Sequence, residues 1–183
     1  PHLPLQAPKK WVDYYVKKFG DEKPYYPAYA YYPNRYPKAT YAAMISYLDE
    51  IVGSLTQKLK DINQFDNTII MFTSDNGVTN LDQVDSGFFN SSAMFSDDND
   101  MVKGSLYEGG IRVPSFVTWP RKIKEGSFSN HISSAQDFYA TILDLFKIKK
   151  PNHITGLSFL PTLLGKKQNK HEYLYWETNS RQG

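Results

Sequence analysis

The sequence has 183 residues, 21 basic against 19 acidic side chains, a formal net charge of +2 and no cysteine. That length supports one domain with a true core and room for a small appendage. The lysines are scattered or in short pairs rather than in a nucleic-acid-type block, no apolar run reaches the length of a membrane span, and disulfides, thiolate metal sites and a cysteine nucleophile are excluded within these residues.

Residues 1–8 carry three prolines and must be extended or turning, with His2 among them. Taken alone, a histidine in such a loop is usually surface decoration. Residues 9–19 place Trp11, Val12, Tyr15, Val16 and Phe19 on one helical face, and Gly20 follows as a stop. Residues 21–37 are rich in Tyr and Pro, which predicts an ordered, irregular segment whose rings pack on a surface. Residues 38–64 give the longest helix, with a stripe through Tyr41, Met44, Ile45, Leu48, Ile51, Val52, Leu55 and Leu59. Asp49 and Glu50 lie off that stripe, on a face expected to be solvated.

Thr68 to Phe72 is a short run rich in β-branched residues, expected to be a strand buried on both faces as in a parallel sheet. It ends in Ser74-Asp75-Asn76-Gly77. Asp75 and Asn76 are adjacent oxygen donors at the carboxyl end of a strand, where α/β sheets hold ligands, and such a pair can bind a hard cation. The same three residues also make an ordinary turn, with Gly77 supplying φ > 0.

Residues 78–102 form a long polar stretch holding Asp82, Asp85, Asp97, Asp98 and Asp100 around Phe88-Phe89. The spacing is not that of an EF-hand, and a substrate-side loop is expected. Lys103-Gly-Ser-Leu-Tyr-Glu-Gly-Gly-Ile-Arg-Val-Pro114 follows. Its glycines allow close backbone approach, while Lys103 and Arg112 supply positive charge. It is not a Walker loop, and a glycine-rich hairpin with two solvated cations is the plainer alternative. A strand over 113–119, an amphipathic helix over 134–146 with Phe138, Ile142, Leu145 and Phe146 inward, a turn and short helix over 156–165, and a last strand over 173–177 complete the chain. Residues 178–183 are expected to run out unpaired.

The proline-rich start, Thr73-Ser-Asp-Asn-Gly77 and the Lys103–Pro114 stretch stand in one order, followed by Asp137-Phe-Tyr-Ala-Thr-Ile-Leu and Gly156-Leu-Ser-Phe-Leu-Pro-Thr-Leu-Leu. In this order they resemble the second half of a type I sulfatase of the arylsulfatase kind, in the alkaline-phosphatase-like superfamily. The resemblance covers nearly the whole chain. It implies part of an α/β/α sandwich with a mostly parallel sheet: residues 1–171 as the C-terminal part of a catalytic domain, and 172–183 as the first strand of, or lead into, a C-terminal subdomain.

By position, the resemblance makes Asp75 and Asn76 metal ligands, on Ca²⁺ or alternatively Mg²⁺. It makes Lys103 a sulfate contact, and His2 a general acid or sulfate contact near the leaving-group oxygen. Gly109, Gly110 and Arg112 look like scaffolding in that comparison. The family's formylglycine nucleophile is made from Cys or Ser in a Cys/Ser-x-Pro-Ser-Arg motif, and neither that motif nor the aspartate pair before it occurs here. Ser158 is followed by Phe159, Leu160 and Pro161 and does not match. Ala140 stands where relatives often carry Pro.

The expectation is therefore a piece of a sulfuric ester hydrolase, inactive alone, whose nucleophile lies in an upstream half. Its substrate would be a sulfated small molecule or glycan, and the resemblance implies a periplasmic or secreted parent. A sheet cut through its middle should expose an edge and promote self-association. A phosphate or phosphonate monoester hydrolase of the same superfamily, and a non-catalytic module binding sulfated glycans, are the alternatives.

Overall fold

The computed structural model describes residues 2–27, 32–79, 84–91, 95, 101–178 and 181–182. Helix α1 spans Lys9–Phe19 and helix α2 spans Pro37–Asp61. Pro8 precedes α1 with a φ of −56°, and the Gly20 N–H closes it on the Val16 carbonyl at 2.9 Å. Helix α2 opens on Pro37, whose missing N–H would be unsatisfied there anyway. Its next two amides, of Lys38 and Ala39, donate to the Glu22 carboxylate at 2.8 and 3.0 Å.

The two helices pack together, although α1 has no fully buried residue. Polar contacts seat it instead. The Trp11 indole donates to Glu50 at 2.6 Å, Lys10 bonds the same carboxylate at 2.5 Å, and the Tyr15 hydroxyl meets Ser46 Oγ at 2.8 Å. The Lys10 hydrogen bond, then that of Trp11, holds the Glu50 carboxyl below the usual carboxylate range. Glu50 is thus a latch between helices and not the solvated residue expected, while Asp49 is exposed.

The buried face of α2 is confined to its first half: Ala39, Thr40, Ala42, Ala43 and Met44. Ile45, Ile51 and Leu55 of the expected stripe are exposed. Met44 joins Leu5 and Val84 in a small core, with Leu3, Ala7 and Tyr41 packed against it. The proline-rich start is therefore a strap tied into the core by Leu5. In the Tyr/Pro segment Tyr25 and Asn34 form a β-bridge, but Tyr26 and Tyr32 lie in solvent, so its rings pack less than expected. Residues 28–31 are outside the described part.

A 3-10 turn at Phe65–Asn67 leads into strand β1, Ile70–Thr73. Strand β2, Ser115–Thr118, pairs with it antiparallel, with Phe72 opposite Phe116. These two rings are 40% and 64% exposed, so β1 is not buried on both faces. The cause is that no other strand pairs with β1 among the described residues, and the parallel neighbours expected of it are not among them. Between β1 and β2 lie two short helices, α3 over Ser86–Phe89 and α4 over Glu108–Ile111. The second replaces the hairpin alternative for the glycine-rich stretch.

Helix α5 spans Ala135–Leu145 and helix α6 spans Leu160–Leu163. The buried face of α5 carries Asp137, Ala140, Thr141 and Leu143, while Ile142 and Phe146, expected inward, are 38% and 67% exposed. The difference is polar. Asp137 accepts the Ser134 N–H at 2.8 Å and the Leu157 N–H at 2.7 Å, and His171 Nε2 lies 2.9 Å from both its oxygens. Thr141 Oγ1 accepts the Phe159 N–H at 3.0 Å. One face of α5 thus ties down residues 157–171 through hydrogen bonds that an apolar-periodicity rule does not see.

The last strand begins later than expected. Strand β3 is Glu177–Thr178 and pairs antiparallel with β4, Arg181–Gln182, so the terminus is paired. No described helix is long and apolar enough to cross a membrane.

Candidate active site

Strand β1 ends at Thr73, and the loop beyond it is fastened to the glycine-rich stretch by two backbone bonds. The Gly77 N–H donates to the Gly110 carbonyl at 2.8 Å, and the Lys103 N–H to the Val78 carbonyl at 2.7 Å. The contact is too close for side chains. A Cβ on Gly77 would lie 1.8 Å from the Gly109 carbonyl oxygen, and one on Gly110 would lie 2.4 Å from the Ser105 carbonyl oxygen. Gly77 does not have the positive φ expected of it. The position requires glycine for close approach, not for a left-handed turn.

This junction forms one wall of a cavity of about 1060 Å³. His2, Asp75, Asn76 and Lys103 all line it, so the strap, the β1 loop and the glycine-rich stretch bring the four expected site residues to one space. Tyr41 and Met44 of α2 form its apolar floor. Asp82, Asp97, Asp98 and Asp100 lie outside the described residues. Of the polar stretch, Val84 is buried in the core and Asp85 bonds Lys38 of α2 at 3.0 Å. The Phe88 N–H, then Lys38, holds the Asp85 carboxyl below its usual range. Ser91 and Phe95 of the same stretch line the cavity.

Asp75 is exposed, and no hydrogen bond or ion pair engages its carboxylate among the described residues. The Asn76 amide nitrogen donates to the Gly77 carbonyl at 2.8 Å, which leaves its oxygen to serve as an acceptor. Two adjacent hard oxygens fit a hard cation as part of a cage, because such ions take six to eight oxygen ligands. No group of three or more His, Asp or Glu among the described residues supplies the rest. Lys103 is exposed, with no ion pair among the described residues, so its ammonium is available to an anion. His2 Nδ1 lies 2.9 Å from the Leu3 carbonyl, a bond that favours a proton on Nδ1 and a free Nε2.

Arg112, which the resemblance groups with the scaffold glycines, also reaches the cavity. It sits in the cavity wall, bonded to Glu108 at 2.7 Å, with its guanidinium 4.6 Å from the Phe95 ring centroid. Nothing in the spacing separates it from the scaffold glycines beside it. A second cavity of about 410 Å³ shares Tyr41, Val78 and Ser91 with the first and is otherwise mainly apolar.

Comparison with known proteins gives the same direction. The family model "Sulfatase" matches residues 1–148. An uncharacterized sulfatase, YdeN of Escherichia coli (strain K12), is 35% identical over 182 residues, covering 98% of this chain and 28% of that protein. The crystal structure of Ps i-CgsB superposes with a TM-score of 0.66 at 30% identity, over 92% of this chain and 32% of that one. A further structure, in complex with its substrate D-glucosamine-2-N,6-O-disulfate, gives a TM-score of 0.58 at 28% identity, over 78% of this chain and 27% of that one. The chain thus spans about a third or less of the proteins it matches, and its α/β fold is part of theirs.

Proposed function

The chain belongs to the sulfatase family, and we propose that its cavity is one side of an active site that hydrolyses sulfate esters. The observation that carries this reading is the convergence of His2, Asp75, Asn76 and Lys103 on one cavity from three separate stretches of sequence. A sulfate ester is a tetrahedral anion whose hydrolysis builds charge on the sulfuryl oxygens and on the departing alcohol. Lys103 would bind the sulfuryl oxygens as a point charge. His2, with Nδ1 donating to the Leu3 carbonyl, would present Nε2 to the substrate, as a sulfate contact or, in the doubly protonated ring, as the proton donor to the leaving oxygen. Asp75 and Asn76 would supply part of an oxygen cage for Ca²⁺, with Mg²⁺ the alternative, and the cation would lend Lewis-acid charge to the same oxygens.

The nucleophile is not among these residues: the sequence has no cysteine and no Ser-x-Pro-x-Arg motif. We assign it, as formylglycine, to the portion of the family's length that this chain does not span. The chain alone should therefore bind without turning over. The substrate is a sulfated sugar, by likeness to the neighbour solved with a disulfated glucosamine. Export to the periplasm or beyond is part of the same proposal, by analogy with bacterial members of the family.

The test is calorimetric titration of the chain with glucosamine 6-sulfate in the presence of Ca²⁺, beside turnover of an aryl sulfate. We expect binding that is lost in Lys103→Ala and made Ca²⁺-independent in Asp75→Ala, with no turnover. Binding untouched by Lys103→Ala would remove the sulfate role. Tighter binding of a phosphonate monoester than of the sulfate would favour the phosphonate hydrolase alternative. Turnover above background would show that the nucleophile lies within these residues.

A further inference from the structure

The cavity carries a second cation whose surroundings differ from those of Lys103. Arg112 is held on two sides. Its Nη1 bonds Glu108 one helical turn back, at 2.7 Å, and its guanidinium packs near the Phe95 ring at 4.6 Å from the centroid. Both members of the ion pair are exposed, with side chains 61% and 56% accessible, so water screens the pair and its hold is weak. Glu108 is not part of the cavity wall, whereas Arg112 and Phe95 are. The pair engages one of the guanidinium's nitrogens and leaves other N–H groups of the fork to donate. A planar fork with parallel donors matches a carboxylate or sulfate bidentately, which the Lys103 ammonium cannot do.

We propose that Arg112, backed by Phe95, is a second anion subsite in the same cavity, and that it takes a further sulfate or a carboxylate on the sugar whose ester Lys103 holds. The inference rests on the sulfated-sugar reading above and narrows it to sugars that carry at least two anionic groups. Arg112 is then a specificity residue: it selects among sulfated sugars without touching the scissile group. Glu108 is its internal competitor. When the second anion arrives, Arg112 exchanges a weak exposed carboxylate for a ligand that the ring platform and the cavity wall also contact.

The experiment is calorimetric titration of the full chain, with Ca²⁺ present, using N-acetylglucosamine 6-sulfate as the monosulfate, glucosamine 2-N,6-O-disulfate and a 6-sulfated sugar bearing a carboxylate. Wild type should prefer the two dianionic sugars over the monosulfate by about tenfold or more, the scale of one charge-assisted bidentate contact. Arg112→Gln should erase that preference and leave monosulfate affinity unchanged. Arg112→Lys should retain part of it. Glu108→Gln should increase it, a gain that a merely structural arginine would not produce. Whichever dianionic sugar shows the larger preference identifies the second anion as sulfate or carboxylate. Thermal unfolding of each variant checks folding.

Equal affinity of wild type for mono- and dianionic sugars overturns the subsite, and if Lys103→Ala still abolishes binding the sulfatase reading stands without it. Equal loss of all ligands in Arg112→Gln and Arg112→Lys, in folded protein, also overturns it. No binding of any sulfated sugar removes both.

Discussion

Replacing Gly77 with Ala tests the junction on which the site is built. The added Cβ would sit 1.8 Å from the Gly109 carbonyl oxygen and 2.8 Å from its carbon, where real Cβ contacts are not found below 3.0 Å. The β1 loop and the glycine-rich stretch must then separate by more than an ångström. Both are backbone, so no flexible side chain can yield instead. That movement breaks the 2.8 Å bond from the Gly77 N–H to the Gly110 carbonyl. A lost hydrogen bond with its groups left short of partners, added to overpacking, amounts to about 2–5 kcal/mol. For a chain of this size the melting temperature should fall by roughly 5–15 °C. The control is Gly53→Ala in α2, where a Cβ meets nothing within 4 Å and helix propensity gains up to about 1 kcal/mol. The assay is thermal and urea unfolding of both variants beside wild type. A Gly77→Ala protein within about 1 kcal/mol of wild type would refute the close-approach argument.

Asp137→Ala removes a fully buried carboxylate that holds two backbone N–H groups and His171. It should cost about 3–5 kcal/mol in urea unfolding, and His171→Ala should cost less because both N–H bonds survive; the reverse order would contradict the assignment. Asp85 has a depressed folded-state pKa, so its contribution is present above the ordinary carboxylate range and lost as pH falls through the folded value. The melting-temperature difference between wild type and Asp85→Asn should therefore shrink on acidification from about pH 4 downward; a constant difference would contradict it. Glu50→Ala should loosen α1, read as faster amide exchange over Lys9–Phe19 with little change in α5, since Glu50 holds Trp11 and Lys10.

Helices α1 and α5 were legible because an apolar period runs along each, with Gly20 marking the end of the first; the Ser134–Asp137 capping box that starts α5 was not read from the sequence. The Asp75-Asn76-Gly77 stretch was singled out because it ends an apolar run with oxygen donors, and Lys103 because it opens a glycine-rich stretch and matches a family motif; the structure brings both to one cavity. What periodicity could not supply is which apolar faces find a partner within these residues. The second half of α2 has the pattern of a core helix, yet Ile45, Ile51 and Leu55 are exposed, as are Phe72 and Phe116 on the β1–β2 pair. The matched relatives contain about three times as much chain as this one. The role of Gly77 was misread for a related reason. Sequence shows that a side chain is absent, but only the structure shows whether φ or a neighbouring backbone demands it. Glu50 and Asp137 were assigned to surface or overlooked because their partners lie 39 and 34 residues away.

The most direct test of the central claim is residue-resolved NMR mapping of the chain titrated with glucosamine 6-sulfate and Ca²⁺. The account predicts amide shifts concentrated at His2, Asp75 to Val78 and Lys103, the three stretches that meet in the cavity. Shifts confined elsewhere, for example to the exposed lysines at Lys166 and Lys167, would contradict it.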